Sequence, residues 1–399
     1  MKVLVASYYQ SSIGGCEHYV SMIMPLLNNS PVDAARLVIE PVKNINASNA
    51  SVRSHTIRVG GLGIVGVIDA VRKFDPDVIY SHGLGDPLLE QALVRAWPTV
   101  IFNHNYAGAC INGSKQHQIP FYSVCQKPFN VRCLSTYFFR RCGGMNPLAA
   151  MRGYYREKLR QSVLCEAASV CVASQHMRSM MLQNGISNKK LYHLPLFPTH
   201  GDPDPVVPDS KTRTDTILLV GRLTRLKGYT HLVPAVALAS KALSRRLTLA
   251  IAGDGPDREK LLTMAARYKV PIEWYGWLSP EEVTAKMRQA DLLAVPSLWP
   301  EPFGLVGIEA GCVGTPAVAY AVGGIPDWLI PGVSGEMAPG DRLHPTPLAD
   351  AIVRALCDTG HWQSLREGAW RFSREFSREM HTKKLIRILY NASKVCHAP

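Results

Sequence analysis

Short apolar runs recur along the chain, each closed by Gly, Pro, Ser or Asn and followed by residues at helical spacing. Lys2 to Ser7, Arg36 to Pro41, His55 to Val59, Val78 to His82, Thr99 to His104 and Ser169 to Ser174 read as strands, with helices over Cys16 to Leu27 and Val67 to Phe74. Near-continuous apolar character, without alternation, is what strands buried on both faces of a parallel sheet require. Leu194 to Asp215 breaks the rhythm: five prolines (195, 198, 203, 205 and 208) and no periodicity read as an interdomain linker. The alternation then restarts. Strands are expected at Thr216 to Val220, Leu247 to Ala252, Ile272 to Tyr275, Leu292 to Pro296 and Pro316 to Tyr320, with helices at Asp257 to Tyr268 and Pro280 to Gln289. Two open α/β domains follow, over residues 1–205 and 206–372. Residues 373–399 hold a last amphipathic helix, Phe376 to Ala392.

The helix after Leu292 to Pro296, running to about Gly314, breaks two local rules. Gly304, Gly307 and Gly311 leave one face bare, at about 1 kcal/mol each relative to Ala in a helix interior. Glu309 is the lone charge between Phe303 and Tyr320, and Glu301 precedes the helix N-terminus, where backbone N–H groups favour an anion. A binding site and a tightly packed core helix both fit this stretch.

Composition narrows the class. The 399 residues are 47% apolar and 19% charged, with no apolar run near the ~20 residues that span a bilayer, so a cytoplasmic protein is expected. The net charge of +13 suits anionic partners. The basic surplus is densest from Lys127 to Arg160, inside an aromatic-rich insert, Ala107 to Tyr155, that interrupts the strand–helix rhythm. Aromatics beside Arg and Lys fit a bilayer interface, base stacking or an ordinary packed loop. The first option adds peripheral contact with an anionic membrane, at its inner face, to the expectations. The insert also carries Cys110, Cys125, Cys133 and Cys142, separated by 14, 7 and 8 residues. That is no C-x-x-C zinc pattern, and no metal is expected.

Three smaller signals lie in the first domain. Gly61 to Gly66 matches G-x-G-x-x-G, with Asp86 downstream as a ribose-binding acid, but it does not follow the first strand; a Gly-rich helix entry serves as well. Gly14 and Gly15 lie where the first strand turns into its helix, a place for a phosphate or simply a turn. His104 and Asn105 close a strand at the carboxyl end of the sheet, where ligands bind in open α/β folds.

The sharpest chemistry lies in Gly221 to Gly228, G-R-L-T-R-L-K-G, which puts Arg222 and Lys227 on a strand-to-helix turn. It lacks the G-K-[ST] ending of a Walker loop. An Arg fork and a Lys point charge could instead neutralise a pyrophosphate leaving group without a metal.

In order, the second domain reads G-R-L-x-x-x-K-G, A-G-D-G-P, an aromatic-Gly-Trp turn, P-S-x-x-P-E-P-F-G-L-x-x-x-E-A and G-T-P-A-V-A-x-x-x-G-G. This series resembles the retaining nucleotide-sugar glycosyltransferases of the GT4 family. The resemblance implies a GT-B fold, two Rossmann-like doubly wound domains facing a cleft. The nucleotide-diphosphate-sugar donor would lie on the second domain and a glycan or lipid-linked acceptor on the first. The last helix would cross back to the first domain. It implies no cofactor and no nucleic-acid partner. Position by position, Arg222 and Lys227 would hold the donor phosphates, Glu301 the sugar hydroxyls and Glu309 the ribose. Gly221 opens the phosphate turn. The amides of Phe303, Gly304, Leu305 and Val306 would sit near sugar and phosphate. Gly14 and Gly15 would close over the diphosphate, and His104 would approach the transferred sugar. Asp327 departs from the family's Glu after G-G-x-P.

Overall fold

A computed structural model describes residues 1–8, 15–39, 56–58, 63–199, 201–203 and 212–395. Its strands are β1 (Lys2–Ser7), β2 (Asp33–Val38), β3 (Thr56–Arg58), β4 (Val78–Ser81), β5 (Thr99–Asn103), β6 (Gln116–His117), β7 (Ser123–Val124), β8 (Ser169–Val172), β9 (Leu191–His193), β10 (Thr216–Val220), β11 (Thr248–Ala252), β12 (Ile272–Gly276), β13 (Leu292–Val295), β14 (Ala317–Tyr320) and β15 (Gly335–Ala338).

Two parallel sheets form, ordered β3-β2-β1-β4-β5-β8-β9 and β12-β11-β10-β13-β14-β15. The order reverses between β1 and β4 in one and between β10 and β13 in the other, so each sheet has a crevice at that switch point. The second crevice receives the loops after β10 and β13, which are the Gly221–Gly228 turn and the loop leading to Glu301. Apart from exposed Lys2, the strands β1, β4, β5 and β13 are buried, as their unbroken apolar runs require.

Differences from the sequence reading have local causes. The strand expected at Arg36 to Pro41 begins earlier, at Asp33, because register with Lys2 to Ser7 fixes its start. β9 and β15 are short strands whose polar or Gly content masks the pattern. The first half of the expected linker is core: Leu194, Leu196 and Phe197 are buried, and His381 Nδ1 lies 2.7 Å from the Pro195 carbonyl. The helix Arg378–Ser393 packs against β4, β5 and the helix Gly15–Asn28 of the first domain.

The glycine-bearing helix spans Leu305–Cys312. Its bare face packs on Trp328 and the helix Thr359–Ser373, not on the sheet. A Cβ on Gly307 would stand 2.1 Å from the Trp328 ring, and one on Gly311 would stand 2.9 Å from the Ala369 carbonyl. The Trp328 indole is pinned by a 2.6 Å bond from Nε1 to the Phe303 carbonyl and has no free direction to move. Gly307→Ala is therefore expected to cost about 1–3 kcal/mol by overpacking. A lowered urea midpoint with unchanged slope would be the reading; an unchanged midpoint would show that Trp328 yields.

Candidate functional site

Lys227 and Glu301 meet at the second switch point, with Lys227 Nζ 2.7 Å from Glu301 Oε1. Each is placed by its loop. After β10 the chain makes a 3-10 turn, Arg225–Lys227, and leaves it through Gly228 at φ +78°. A Cβ there would lie 1.7 Å from the Pro296 carbonyl, so this close crossing of the loops after β10 and β13 demands glycine. On the other loop, Ser297 Oγ and Trp299 Nε1 also donate to Glu301 Oε1, at 2.5 and 3.0 Å. The buried carboxylate thus meets one ammonium and two neutral donors on a single oxygen. Among the described residues Oε2 takes no hydrogen bond and remains available.

The loop backbone supplies more donors. Gly304, at φ +93°, caps the helix Leu305–Cys312, and the first-turn amides of Leu305 and Val306 have no intrahelical acceptor. Phe303 is buried with its carbonyl held by Trp328. Gly221, at φ +125°, begins the Gly221–Gly228 turn. Arg222 is exposed and makes no ion pair among the described residues. Gly15 begins the first-domain helix Gly15–Asn28, and Gly14 lies outside the described residues.

Glu309 and Asp327 both carry hydrogen bonds in the structure. Glu309 Oε1 accepts from the Thr199 hydroxyl and amide, on the segment joining the domains. Asp327 Oδ2 accepts from the Gln175 amide at 2.8 Å and stands 3.2 Å from His193 Nε2, linking the second domain to the first. The buried Tyr106 hydroxyl adds a third bridge, donating to the Pro300 carbonyl at 2.9 Å. Tyr106, Ser297, Trp299 and Thr199 were not singled out in the sequence. The signal for Ser297 and Trp299 was their place within four residues of Glu301. Thr199 and Tyr106 act across the domain boundary and left none.

Across the cleft, His104 Nε2 lies 2.8 Å from His82 Nδ1 at the carboxyl ends of β5 and β4. The pair borders a cavity of about 270 Å³ that also meets Tyr8, Glu90, Asn103 and Arg160. Burial holds His104 down to about 3. Burial, then the charges of His104, Arg36 and His381, holds His82 well below the usual imidazole range. Glu90 is raised by burial, while Ser81 donates to it at 2.6 Å. Behind them a buried chain ties the domain to the last helix: Tyr19 Oη lies 2.9 Å from Tyr80 Oη and 2.6 Å from His381 Nε2. His381 Nδ1 faces a carbonyl and must donate, so Nε2 accepts from Tyr19. Burial holds His381 down to about 4.

These histidines are neutral in the fold, while an unfolded chain protonates them below about pH 6.5. The unfolded state then binds more protons, so stability falls as pH drops from about 6.5 toward 4, by up to about 1.4 kcal/mol per unit for each. Urea titrations at pH 7 and 5 should show this loss; equal stabilities would mean the imidazoles are not held neutral.

Of the expected site residues, the structure joins Lys227 to Glu301, at the helix headed by Gly304. It leaves Arg222 open and pairs His104 with His82. The alternative dinucleotide reading loses its acid, because the Asp86 side chain caps the helix Pro87–Ala96 by accepting from the Leu88 amide. No group of three or more His, Cys, Asp or Glu among the described residues is already arranged to hold a metal ion.

Two doubly wound parallel domains facing a cleft, with the Gly221–Gly228 turn and the loop leading to Glu301 at one switch point, define the GT-B fold. Residues 203–371 match the family described as "Glycosyl transferases group 1", and the chain as a whole has the GT-B fold. It is 37% identical over 154 residues to a D-inositol 3-phosphate glycosyltransferase of Corynebacterium jeikeium (strain K411), covering 37% of this chain; it spans only 36% of that relative's length. Among solved structures, the lipopolysaccharide outer core galactosyltransferase WaaB superposes with TM-score 0.71 at 16% identity, covering 98% of this chain and 99% of that one. The Anabaena HepE protein, in complex with UDP and glucose, superposes with TM-score 0.67 at 18% identity, covering 98% and 100%.

Proposed function

We propose that this protein transfers a sugar from a nucleoside-diphosphate sugar to a hydroxyl acceptor, with retained anomeric configuration. The observation that carries the reading is the Lys227–Glu301 pair on the loops that lead to the helix Leu305–Cys312, with Arg222 exposed on the same turn as Lys227. A diphosphate leaving group gains charge as the glycosidic bond breaks. Lys227, Arg222 and the first-turn amides stabilise that charge without a metal. Glu301 Oε2 accepts from sugar hydroxyls. Glu309 exchanges Thr199 for the ribose hydroxyls when the donor enters. The acceptor enters from the first domain, beside His104. His104 and His82 are neutral there and orient hydroxyl groups by hydrogen bonding, not by charge.

A glycan, glycolipid or other polyol acceptor of bacterial-type glycoconjugate or exopolysaccharide synthesis fits this cleft. The relative's name adds phosphorylated polyols to the acceptors to be screened. The test is a panel of nucleotide sugars assayed for binding and for nucleoside-diphosphate release with such acceptors. Release with one donor, and an α-linked product from an α-linked donor, is expected. Binding without release or transfer would favour a non-catalytic nucleotide-sugar-binding protein on the same scaffold.

The acceptor side also bears on membranes. Phe121, Val131, Phe139, Met145, Leu148 and Tyr155 are all more than half exposed, on the insert and the start of the helix Pro147–Glu166. Lys127, Arg132, Arg141 and Arg152 are exposed among them. We propose that this face meets an anionic membrane carrying the acceptor. Co-sedimentation with anionic vesicles at low salt, lost at high salt, is the expected result; equal recovery with neutral vesicles would remove the electrostatic part.

A further inference from the structure

Cys110, Cys125 and Cys142 come from separate loops and Cys133 from the first turn of the helix Arg132–Phe139, yet all line one pocket of about 30 Å³, room for a single small occupant. All four are free, half-buried thiols. The Cys110 sulfur accepts from the Lys115 amide at 3.4 Å, after a turn through Gly113 at φ +73°.

Three further observations say what the occupant is. First, Lys115 is 2% exposed and its ammonium donates to the Lys127 carbonyl, with no carboxylate in ion-pair contact. A buried ammonium without a counter-charge is expensive, and it borders a pocket of potential thiolates. Second, Gln116 lines the same pocket, 3% exposed, with Oε1 buried and lacking a partner. Third, the segment has almost no core of its own. Between residues 110 and 142 the buried apolar side chains are Phe129 and Tyr137, and its strands β6 and β7 have two residues each. A loop-rich unit of this size needs a cross-link or a metal to hold one shape.

We propose that these four cysteines hold one soft divalent cation of the zinc class as a closed structural site. The four sulfurs are not gathered around an ion as they stand; on binding, four thiols give up four protons and form four metal–sulfur bonds, the sulfurs closing in from the pocket wall to about 2.3 Å from the ion. The resulting set carries two net negative charges, which buried Lys115 and nearby Arg140 offset. The absence of C-x-x-C spacing hid the site in the sequence, because the ligands come from three loops and one helix. The site fixes the shape of the insert whose exposed face borders the acceptor side, and it does not depend on the transfer reading.

The test uses the full chain purified under reducing conditions without chelator. Elemental analysis should find about one zinc per chain, released as the four thiols are titrated with a mercurial. Cobalt exchanged into the same protein should give sulfur-to-metal charge-transfer bands and the d–d bands of a tetrahedral site. Combined Cys133→Ser and Cys142→Ser should lose the metal, while Cys357→Ser, an exposed thiol elsewhere, should keep it. The cobalt spectrum of the unaltered chain decides the matter even where the double variant fails to fold. Metal-free folded protein with four freely alkylated thiols would overturn the proposal. So would unreduced protein lighter by the hydrogens of two disulfides. Neither result touches sugar transfer.

Discussion

Lys227→Ala is expected to lower the turnover of sugar transfer about 10²-fold or more, an increase of roughly 2.7 kcal/mol in the barrier. The size follows from where the ammonium stands. Lys227 ends a 3-10 turn locked by Gly228 against Pro296, so its stem leaves the backbone in a fixed direction. Its charge is shared between Glu301 and the ring of Trp299, 6.0 Å away, and not with bulk water alone. A cation preorganised in this way stabilises developing phosphate charge without reorganisation when the bond breaks. Lys227→Arg should recover only part of the loss, because a planar fork cannot occupy the same point beside Ser297 and Trp299. Affinity for the free nucleoside diphosphate should fall with Lys227→Ala, since the lost contact is to phosphate. Near-wild-type turnover in a folded variant would remove Lys227 from the chemistry. It would also favour the non-catalytic binding reading, in which the pair merely shapes the cleft.

What the sequence disclosed follows from the range of the interactions. Parallel strands buried on both faces must be apolar throughout, so both sheets were visible as runs, and the switch-point loops as the Gly- and Pro-rich breaks between them. The Lys227–Glu301 pair was visible as two unusual loops, though not as a contact, because 74 residues separate its members. Contacts that cross the cleft left no local mark. Thr199 on Glu309, Gln175 on Asp327 and Tyr106 on Pro300 join residues more than 100 positions apart. The Pro-rich segment from Leu194 showed only that the pattern stops. For residues 194–199 the structure shows the reason: all but Pro195 are buried, outside any helix or strand, where no period is imposed on them. The bare face of the helix Leu305–Cys312 carried an ambiguity that local sequence could not resolve. Its glycines serve Trp328 and a neighbouring helix, while its N-terminus and the preceding glutamate serve the cleft. One helix carries both demands, on different faces.

Glu301→Gln should separate the sugar from the phosphate. The amide keeps the volume of the carboxylate, and its carbonyl can still accept from Ser297 and Trp299, so the loop should hold its shape. Two things change. Lys227 loses its counter-charge and is left freer to turn toward phosphate, and the atom replacing Oε2 becomes a donor where the sugar hydroxyls need an acceptor. A site built to accept a hydroxyl hydrogen discriminates strongly once that acceptor is gone, because the hydroxyl is left buried and unpaired. Transfer is therefore expected to fall about 10²-fold in kcat/KM. Nucleoside-diphosphate affinity should hold within a few-fold, or improve as Lys227 is released. This is the reverse of the pattern for Lys227→Ala, where affinity and turnover fall together. Calorimetry with the nucleoside diphosphate, beside rates with the donor found by screening, reads both. If Glu301→Gln weakens nucleoside-diphosphate binding as much as it slows transfer, Glu301 acts only by holding Lys227 in place, and the sugar contact assigned to Oε2 is wrong.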